Sequence, residues 1–457
     1  MRKNFKTLIC AAAIIGSMSA SNVQALEIDT DINQSTSITY DESVTVKDDV
    51  IWNITDASSP TIIEINDQLN SNSSLTITNG GANRCRISQD ILKLTGGTLE
   101  NFGEIITDSS LEIGSDAVLN NNDDSLVRVI SGSLTNNGTL NNAGTLNIED
   151  TLNNLGKIAG ANGILLVKDG SNSSSIIQNE LHITGNFSNT GEMTANSKFS
   201  NFGTLTGDTG KLTVNGGTNT GTISQGEFIN SSGEFNNSNI IEAEDFSNAG
   251  TFNNKSGASL VVGDLSNSGN FVNSGDVIAD EINNIGIFNN SGNLGASNDK
   301  IGTINNDGTF NNSGTAYINN FVNGVNNSNS TLTNSGTFNS DLITNNGSII
   351  NNSSESAVGS IIAGSITNFG NITNAGEISV SNSLENNGTI SNAGTITVAD
   401  TGSLTNTSNI NNNGTISSNS FTNGVDAEIT GSGNLNLKQG QNDGKISQAK
   451  ITIVEGS

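Results

Sequence analysis

The sequence predicts an all-β chain wound into a single-stranded β-solenoid, a parallel β-helix with about 18–20 residues per coil. Three observations carry that reading. Apolar residues recur at every sixth position over long stretches, and Gly and Asn recur with them at a fixed offset. Hydrophobic residues make up only 33% of the 457 residues and aromatics 4%, too few for one thick core.

From Leu134 the chain reads LTNNGT LNNAGT LNIEDT LNNLGK I, with Leu134, Leu140, Leu146, Leu152 and Ile158 six apart. From Ile366 the same step runs through Ile372, Ile378, Leu384, Ile390 and Ile396. Gly follows at a constant distance, as in Gly138/Gly144, Gly370/Gly376 and Gly388/Gly394. A helix cannot carry this unit: Gly and Asn at such density each cost up to about 1 kcal/mol relative to Ala. Six steps of about 100° would also place neighbouring anchors on opposite helix faces. Six is even, so on strands every anchor points to one side. Asn and Gly between the strands then supply corners, residues that accept positive φ with little strain.

Three such units close a coil. Gly370 to Gly388 is 18 residues and Gly250 to Gly269 is 19, whereas Gly286 to Gly308 is wider and implies an inserted loop. Coils stacked at about 4.8 Å would make a rod on the order of 100 Å, with Leu, Ile and Phe in internal columns. Fourteen of the 16 Phe follow residue 180, many at anchor positions. Asn stacked at the corners can form amide ladders, which add cohesion without apolar burial.

The elements follow in order. Residues 1–25 read as a signal peptide: Arg2, Lys3 and Lys6 precede the apolar stretch Thr7–Gly16, and Val23-Gln24-Ala25 fits a cleavage site. Cys10 lies inside that apolar stretch, where a lipidated Cys does not belong. No stretch approaches the ~20 apolar residues of a transmembrane helix. Residues 26–130 are less regular strands (SITYDESVTV, VIWNIT, TIIEI), hold Trp52 and Pro60, and read as an N-terminal cap merging into the first coils. Residues 131–457 are the Asn/Gly-rich repeat. Beyond the leader only Cys85 remains, so no internal disulfide can form, and stacking has to supply the stability.

The leader holds three of the 17 Lys and Arg and none of the 44 acids, so the remaining chain is more acidic than the overall −27. That charge excludes nucleic acid and anionic lipid as partners, because both are held through basic patches.

An export signal followed by runs such as SNAGT, NNGTI and NSGTF resembles the β-helical passenger regions of bacterial autotransporter adhesins, and more distantly filamentous haemagglutinin-type adhesins. The likeness covers most of residues 130–430. It implies a right-handed helix displayed at the cell surface or released, associated with the outer membrane, and contacting host cells, other bacteria or matrix. The chain departs from that pattern in two ways. Nothing in it resembles a terminal membrane barrel, so an outer-membrane translocator would be supplied separately. Pro60 follows Ser59, not the Asn of the filamentous type's Asn-Pro motif.

The expected function is therefore an adhesive or structural one without catalysis; the alternative is a carbohydrate-active β-helix enzyme, a polysaccharide lyase or hydrolase. His182, the single His, alternates with Leu181 and Ile183 and should face solvent. It lacks the Gly neighbours of pectin-cleaving β-helices, and without a second His there is no metal triad. Asp48-Asp49 and Asp123-Asp124 are the nearest carboxylate pairs, but strand neighbours point to opposite faces. A lyase would need clustered bases beside calcium, and hexapeptide acyltransferases depend on a His-bearing coil. No cofactor is expected; calcium has weak candidates in Glu27, Asp29 and Asp31 and in Glu242, Glu244 and Asp245, without the Gly-Gly-x-Gly-x-Asp pattern of calcium solenoids. Thr-x-Thr segments such as Thr331/Thr333 and Thr395/Thr397 raise an ice-binding idea, but they are out of register from coil to coil.

Overall fold

The computed structural model describes strand segments between 26 and 83, then residues 86–354 and 358–453. The described residues are all-β, with parallel strands stacked as a β-solenoid of about 20 turns. Contacts divide the chain into two compact units, Met1–Val214 with Gly221–Gln225, and Asn215–Thr220 with Gly226–Ser457.

The six-residue step becomes three faces. Leu134, Leu140, Leu146, Leu152 and Ile158 are all fully buried. Leu134 pairs with Leu152 and Leu140 with Ile158, so three anchors return the chain to one column after 18 residues. In the second unit each regular coil has a four-residue strand, the first face, such as Thr251–Asn254. A nine-residue strand such as Ser259–Asn267 follows and bends in its middle to give the second and third faces. Partners lie 19 residues apart at Thr251↔Asn270 and 17 at Ser259↔Asp276. The offset widens to 22 at Ile287↔Thr309, where a loop at 295–300 is inserted between coils. The wide step from Gly286 to Gly308 has that origin. Strands before residue 83 already pair in parallel over coil-length offsets, as Leu26↔Val44 does at 18.

Two of the three corners carry Asn, and each Asn side chain is a structural bond. In the second unit one ladder climbs from Asn219 through Asn237, Asn254 and Asn273 to Asn412. The other climbs from Asn230 through Asn248, Asn267 and Asn284 to Asn442. Asn306 is typical. Its Nδ2 donates to Asn323 Oδ1 at 2.8 Å, to the Thr331 carbonyl on the next coil at 3.0 Å and to the Gly308 carbonyl at 3.2 Å. Buried amides are tolerated because donors and acceptors are matched from coil to coil. The third corner has small or apolar residues, such as Val262, Ala279 and Ala363, and the strand simply bends there.

The corner glycines have a different reason from the expected one. None of Gly269, Gly286, Gly308 or Gly314 has a positive φ, although Gly233, earlier in the same corner column, does at 70°; Gly257 and Gly324 are left-handed as well. A Cβ on Gly308 would instead sit 2.1 Å from the carbonyl oxygen of Gly286 one coil before. Glycine is required there by the close approach of stacked backbones.

Where a coil lacks the corner Asn, a Gln two coils ahead closes the ladder. Asn142 Nδ2 donates to Gln178 Oε1 at 2.6 Å, Asn189 to Gln225 at 2.7 Å, and Asn412 to Gln448 at 2.8 Å. The intervening coil is glycine at that point. A Cβ on Gly163 or Gly210 would lie 2.6 Å from the incoming Gln Oε1. Each Gln Nε2 turns back to the preceding carbonyl, at 2.7 Å for Gln178 and 2.9 Å for Gln225.

Inside the second unit the first-face column is Phe235, Phe252, Phe271, Phe288 and Phe310, each fully buried. Phe271 and Phe288 stack at 4.6 Å and 10°, Phe288 and Phe310 at 4.9 Å and 5°. The coil bearing both Phe310 and Phe321 places the small Ala316 at the inward site of its second face, with Ile318 buried at the bend, so large and small residues balance within a coil.

Candidate interaction face

Strand alternation sends every second residue outward, so each face of the second unit carries columns of exposed side chains in coil register. On the first face the register is unbroken from Glu234 through Thr251, Asn270, Ile287 and Thr309 to Asn409 and Glu428. The second outward column starts Asn253, Val272, Asn289, Asn311, Thr333 and ends at Asn411. Between Thr251 and Asn411 these two columns contain Asn, Thr, Ser, Val and Ile only. No charged side chain projects from nine consecutive strands. Some of the amides are held in place by one another: Asn311 Nδ2 donates to Asn289 Oδ1 at 2.9 Å, and Asn289 to Asn270 at 3.2 Å.

Between Glu234 and Glu428, which end the first-face column, the described carboxylates lie on the other two faces and the corners. Asp276 and Glu377 project from the second face, and Asp245, Asp264 and Glu281 stack in register on the third. Lys300 bridges two coils to Asp341 at 2.5 Å, and Lys438 bridges back to Asp400 at 2.7 Å. In the first unit Arg128 Nε lies 2.6 Å from Glu149. Hydrogen bonding to Arg128 holds the Glu149 carboxyl below the usual glutamate range.

Among the described residues, Asp307 is the corner acid with a dense donor set. Burial alone would raise its pKa, but amide donors from the 324–330 loop outweigh it and hold the carboxyl low. They are Asn326 N at 2.8 Å, Asn326 Nδ2 at 3.0 Å and Asn327 N at 3.2 Å. The carboxylate pins an inserted loop.

The residues singled out by sequence fall as follows. Glu242, Glu244 and Asp245 are exposed, and among the described residues no three His, Cys, Asp or Glu side chains converge as a metal site. Glu27 lies on the strand Leu26–Ile28. Its side chain, and Asp29, Asp31, Asp48, Asp49, Pro60 and Cys85, lie outside the described residues. His182 projects outward from its strand as expected, half-buried, with Nε2 3.2 Å from Glu180 Oε2. Asp123 and Asp124 are a correction: they sit in a turn, Asp124 at φ 61°, and not on a strand. That turn borders a shallow cleft with Leu126, Thr145, Asn162 and Ile164. A second surface groove over the bend of the second and third faces is lined by Asn339, Asp341, Ile362, Ser379 and Thr397, with Asp341 its one carboxylate. Thr331 and Thr333 project from the first face, Thr395 and Thr397 from the second, so the Thr-x-Thr segments do not form one array.

Sequence reasoning missed the uncharged first face and the Gln-closed ladders. The signal for the first was present: in segments such as TFNN, TLTN and SIIN, the residues flanking the anchor are never Asp, Glu, Lys or Arg between 251 and 411. Among the described residues no helix is long and apolar enough to cross a membrane. No known protein family model matches the chain, and no curated protein or solved structure is significantly similar to it.

Proposed function

We propose that this chain is an exported, surface-displayed β-solenoid with an adhesive or structural role, working through its lateral faces and without catalysis of its own. The observation that carries the reading is the first face of the second unit: nine strands in unbroken register, outward side chains short and uncharged, on a chain whose net charge is −27. A repeated, rigid surface suits many weak contacts summed along its length. The described acids support the same reading, because they pair with Lys or Arg, pin a loop as Asp307 does, or project outward, as the stacked Asp245, Asp264 and Glu281 do. The apolar, basic-flanked start of the sequence supports export.

The test has two parts. Protease treatment of intact cells should degrade the chain while periplasmic markers survive, and cells lacking it should lose adhesion to a host-cell, bacterial or matrix surface. Protection from protease would remove the display reading. Release of oligosaccharides from polysaccharide by the purified chain, abolished by changing one acid, would replace the proposal with the enzymatic alternative.

A further inference from the structure

From the first face of the second unit we infer a specific ligand class: linear neutral polysaccharide, laid along the stack over the strands from Thr251–Asn254 to Asn409–Asn412. The inference rests on the binding role proposed above and names where and what it binds.

Charge narrows the ligand first. The chain as a whole repels polyanions, and cationic partners would be drawn to the stacked Asp245, Asp264 and Glu281 on the third face. The first face is bracketed by Glu234 and Glu428 but carries no charge between them, so it offers nothing to an ionic partner and desolvates without losing an ion's hydration. Its groups are amides and hydroxyls, both donors and acceptors, which match the hydroxyls and ring oxygens of a sugar. Val272, Ile287 and Ile350 supply the apolar patches that sugar C–H groups need. These side chains are short, and Asn270, Asn289 and Asn311 are already hydrogen-bonded to one another, so little freedom is lost on binding.

Area decides between a polymer chain and a protein. Nine strands at about 4.8 Å spacing span about 38 Å, and the two outward columns make a band on the order of 500 Å². A stable protein interface needs about 800 Å² per partner and a centre of Trp, Tyr or Arg anchors. The face has none of those residues. Because the exposed groups are side chains and the backbone is already paired on both sides, strand addition by a peptide is not available there. A thin polymer with repeated hydroxyls fits a long, narrow and regular band, gaining affinity by repetition.

The experiment is co-sedimentation of the purified chain with insoluble cellulose, chitin and β-1,3-glucan, with polygalacturonate as the anionic comparison. The first-face variant combines Asn289→Asp with Thr333→Glu, both outward-facing, leaving the buried corner ladders and the core untouched. The control places the same charges on the second face with Asn339→Asp and Ser379→Glu. Circular dichroism and the thermal midpoint verify that both variants fold. The expected result is binding to at least one neutral polysaccharide, unchanged as salt is raised. The first-face variant should bind about tenfold more weakly or worse, the loss expected when two hydrogen-bonding groups become carboxylates, while the control binds normally. Absence of binding to every neutral polysaccharide, equal losses in both variants, or binding that salt abolishes would overturn the inference. So would thermal hysteresis sensitive to the first-face variant without sugar binding, which would assign the face to ice. Cell adhesion that survives in the first-face variant would sink this assignment and leave the adhesive role standing.

Discussion

Replacing Asn306 by Ala removes one rung from the middle of a buried ladder, and the cost follows from the groups it strands. Asn306 is fully buried; it accepts from Asn284 Nδ2 at 2.7 Å and donates to Asn323 Oδ1 at 2.8 Å. After the change Asn284 Nδ2 still reaches the Thr309 carbonyl at 3.1 Å and the Gly286 carbonyl at 3.3 Å, so its protons stay satisfied. Asn323 Oδ1 does not fare as well, because its rung donor is gone in a buried corner. One orphaned buried acceptor costs about 1–3 kcal/mol and one lost net bond about 1 kcal/mol, giving roughly 2–4 kcal/mol. Stacked coils respond locally, so the readout should be local. Hydrogen exchange followed by mass spectrometry should show protection falling by that amount in the coils carrying Asn284, Asn306 and Asn323, with less change many coils away. The matched control is Asn311→Ala, an outward rung on the surface, expected to cost about 0.5 kcal/mol or less. If Asn306→Ala and Asn311→Ala cost the same, the buried ladder does not hold the coils together and the reasoning fails.

Four further outcomes are expected. Gly308→Ala should destabilise more than Gly257→Ala, because the first drives a Cβ to 2.1 Å from a backbone oxygen while the second meets open space and only a left-handed φ of 80°; the latter costs about 1–2 kcal/mol, and a reversed order of melting temperatures would contradict the close-approach explanation. Phe271→Ala should cost about 3–5 kcal/mol in denaturant unfolding, with Phe271→Leu milder, since the ring packs at 5.2 Å from Phe252 and 4.6 Å from Phe288; a neutral Phe271→Ala would mean the column is not packed. Gln225→Leu should deprive Asn189 Nδ2 of its 2.7 Å acceptor and lower stability by about 1 kcal/mol, whereas the exposed Gln441→Leu should leave the melting temperature unchanged. The Asp307 carboxyl is depressed in the folded chain, so its stabilisation of the 324–330 loop is present above the ordinary Asp pKa and is lost as pH falls through the lower folded value. Loop amide exchange should accelerate on that acid limb, and Asp307→Asn should remove the pH dependence; an identical acid response in the variant would exonerate Asp307.

Much of this fold was legible because the repeat writes it in period-two and six-residue terms. Leu134 to Ile158 and Ile366 to Ile396 gave the inward columns directly, and the stacked Asn corners followed from the same spacing. Three features were hidden for physical reasons. The step of six suggests three equal corners, yet one corner is a bend within a continuous strand, as at Val262, and nothing in a single period distinguishes them. The glycines at Gly286 and Gly308 look like turn residues, whereas the constraint on them comes from a backbone one coil away. The partnership of Asn189 with Gln225 spans 36 residues and becomes visible only when the coil between them is seen to carry Gly207 and Gly210 in place of Asn. The site was less legible than the fold: the acids attracted attention, and the uncharged face is defined by residues that carry no chemical signature singly. Asp123-Asp124 was misplaced because a pair beside strand-like residues was read as strand, when a turn closes the coil there.

The most direct test of the laddered solenoid is deuterium exchange of Asn side-chain amides, followed by nuclear magnetic resonance on the labelled chain. Two populations should appear. Buried rungs such as Asn248, Asn267, Asn284 and Asn306 should keep their Nδ2 protons long after exposed Asn411 and Asn409 have exchanged. A single fast-exchanging population would mean that the coils are not bonded through their corners, and both the ladders and the face built on them would have to be abandoned.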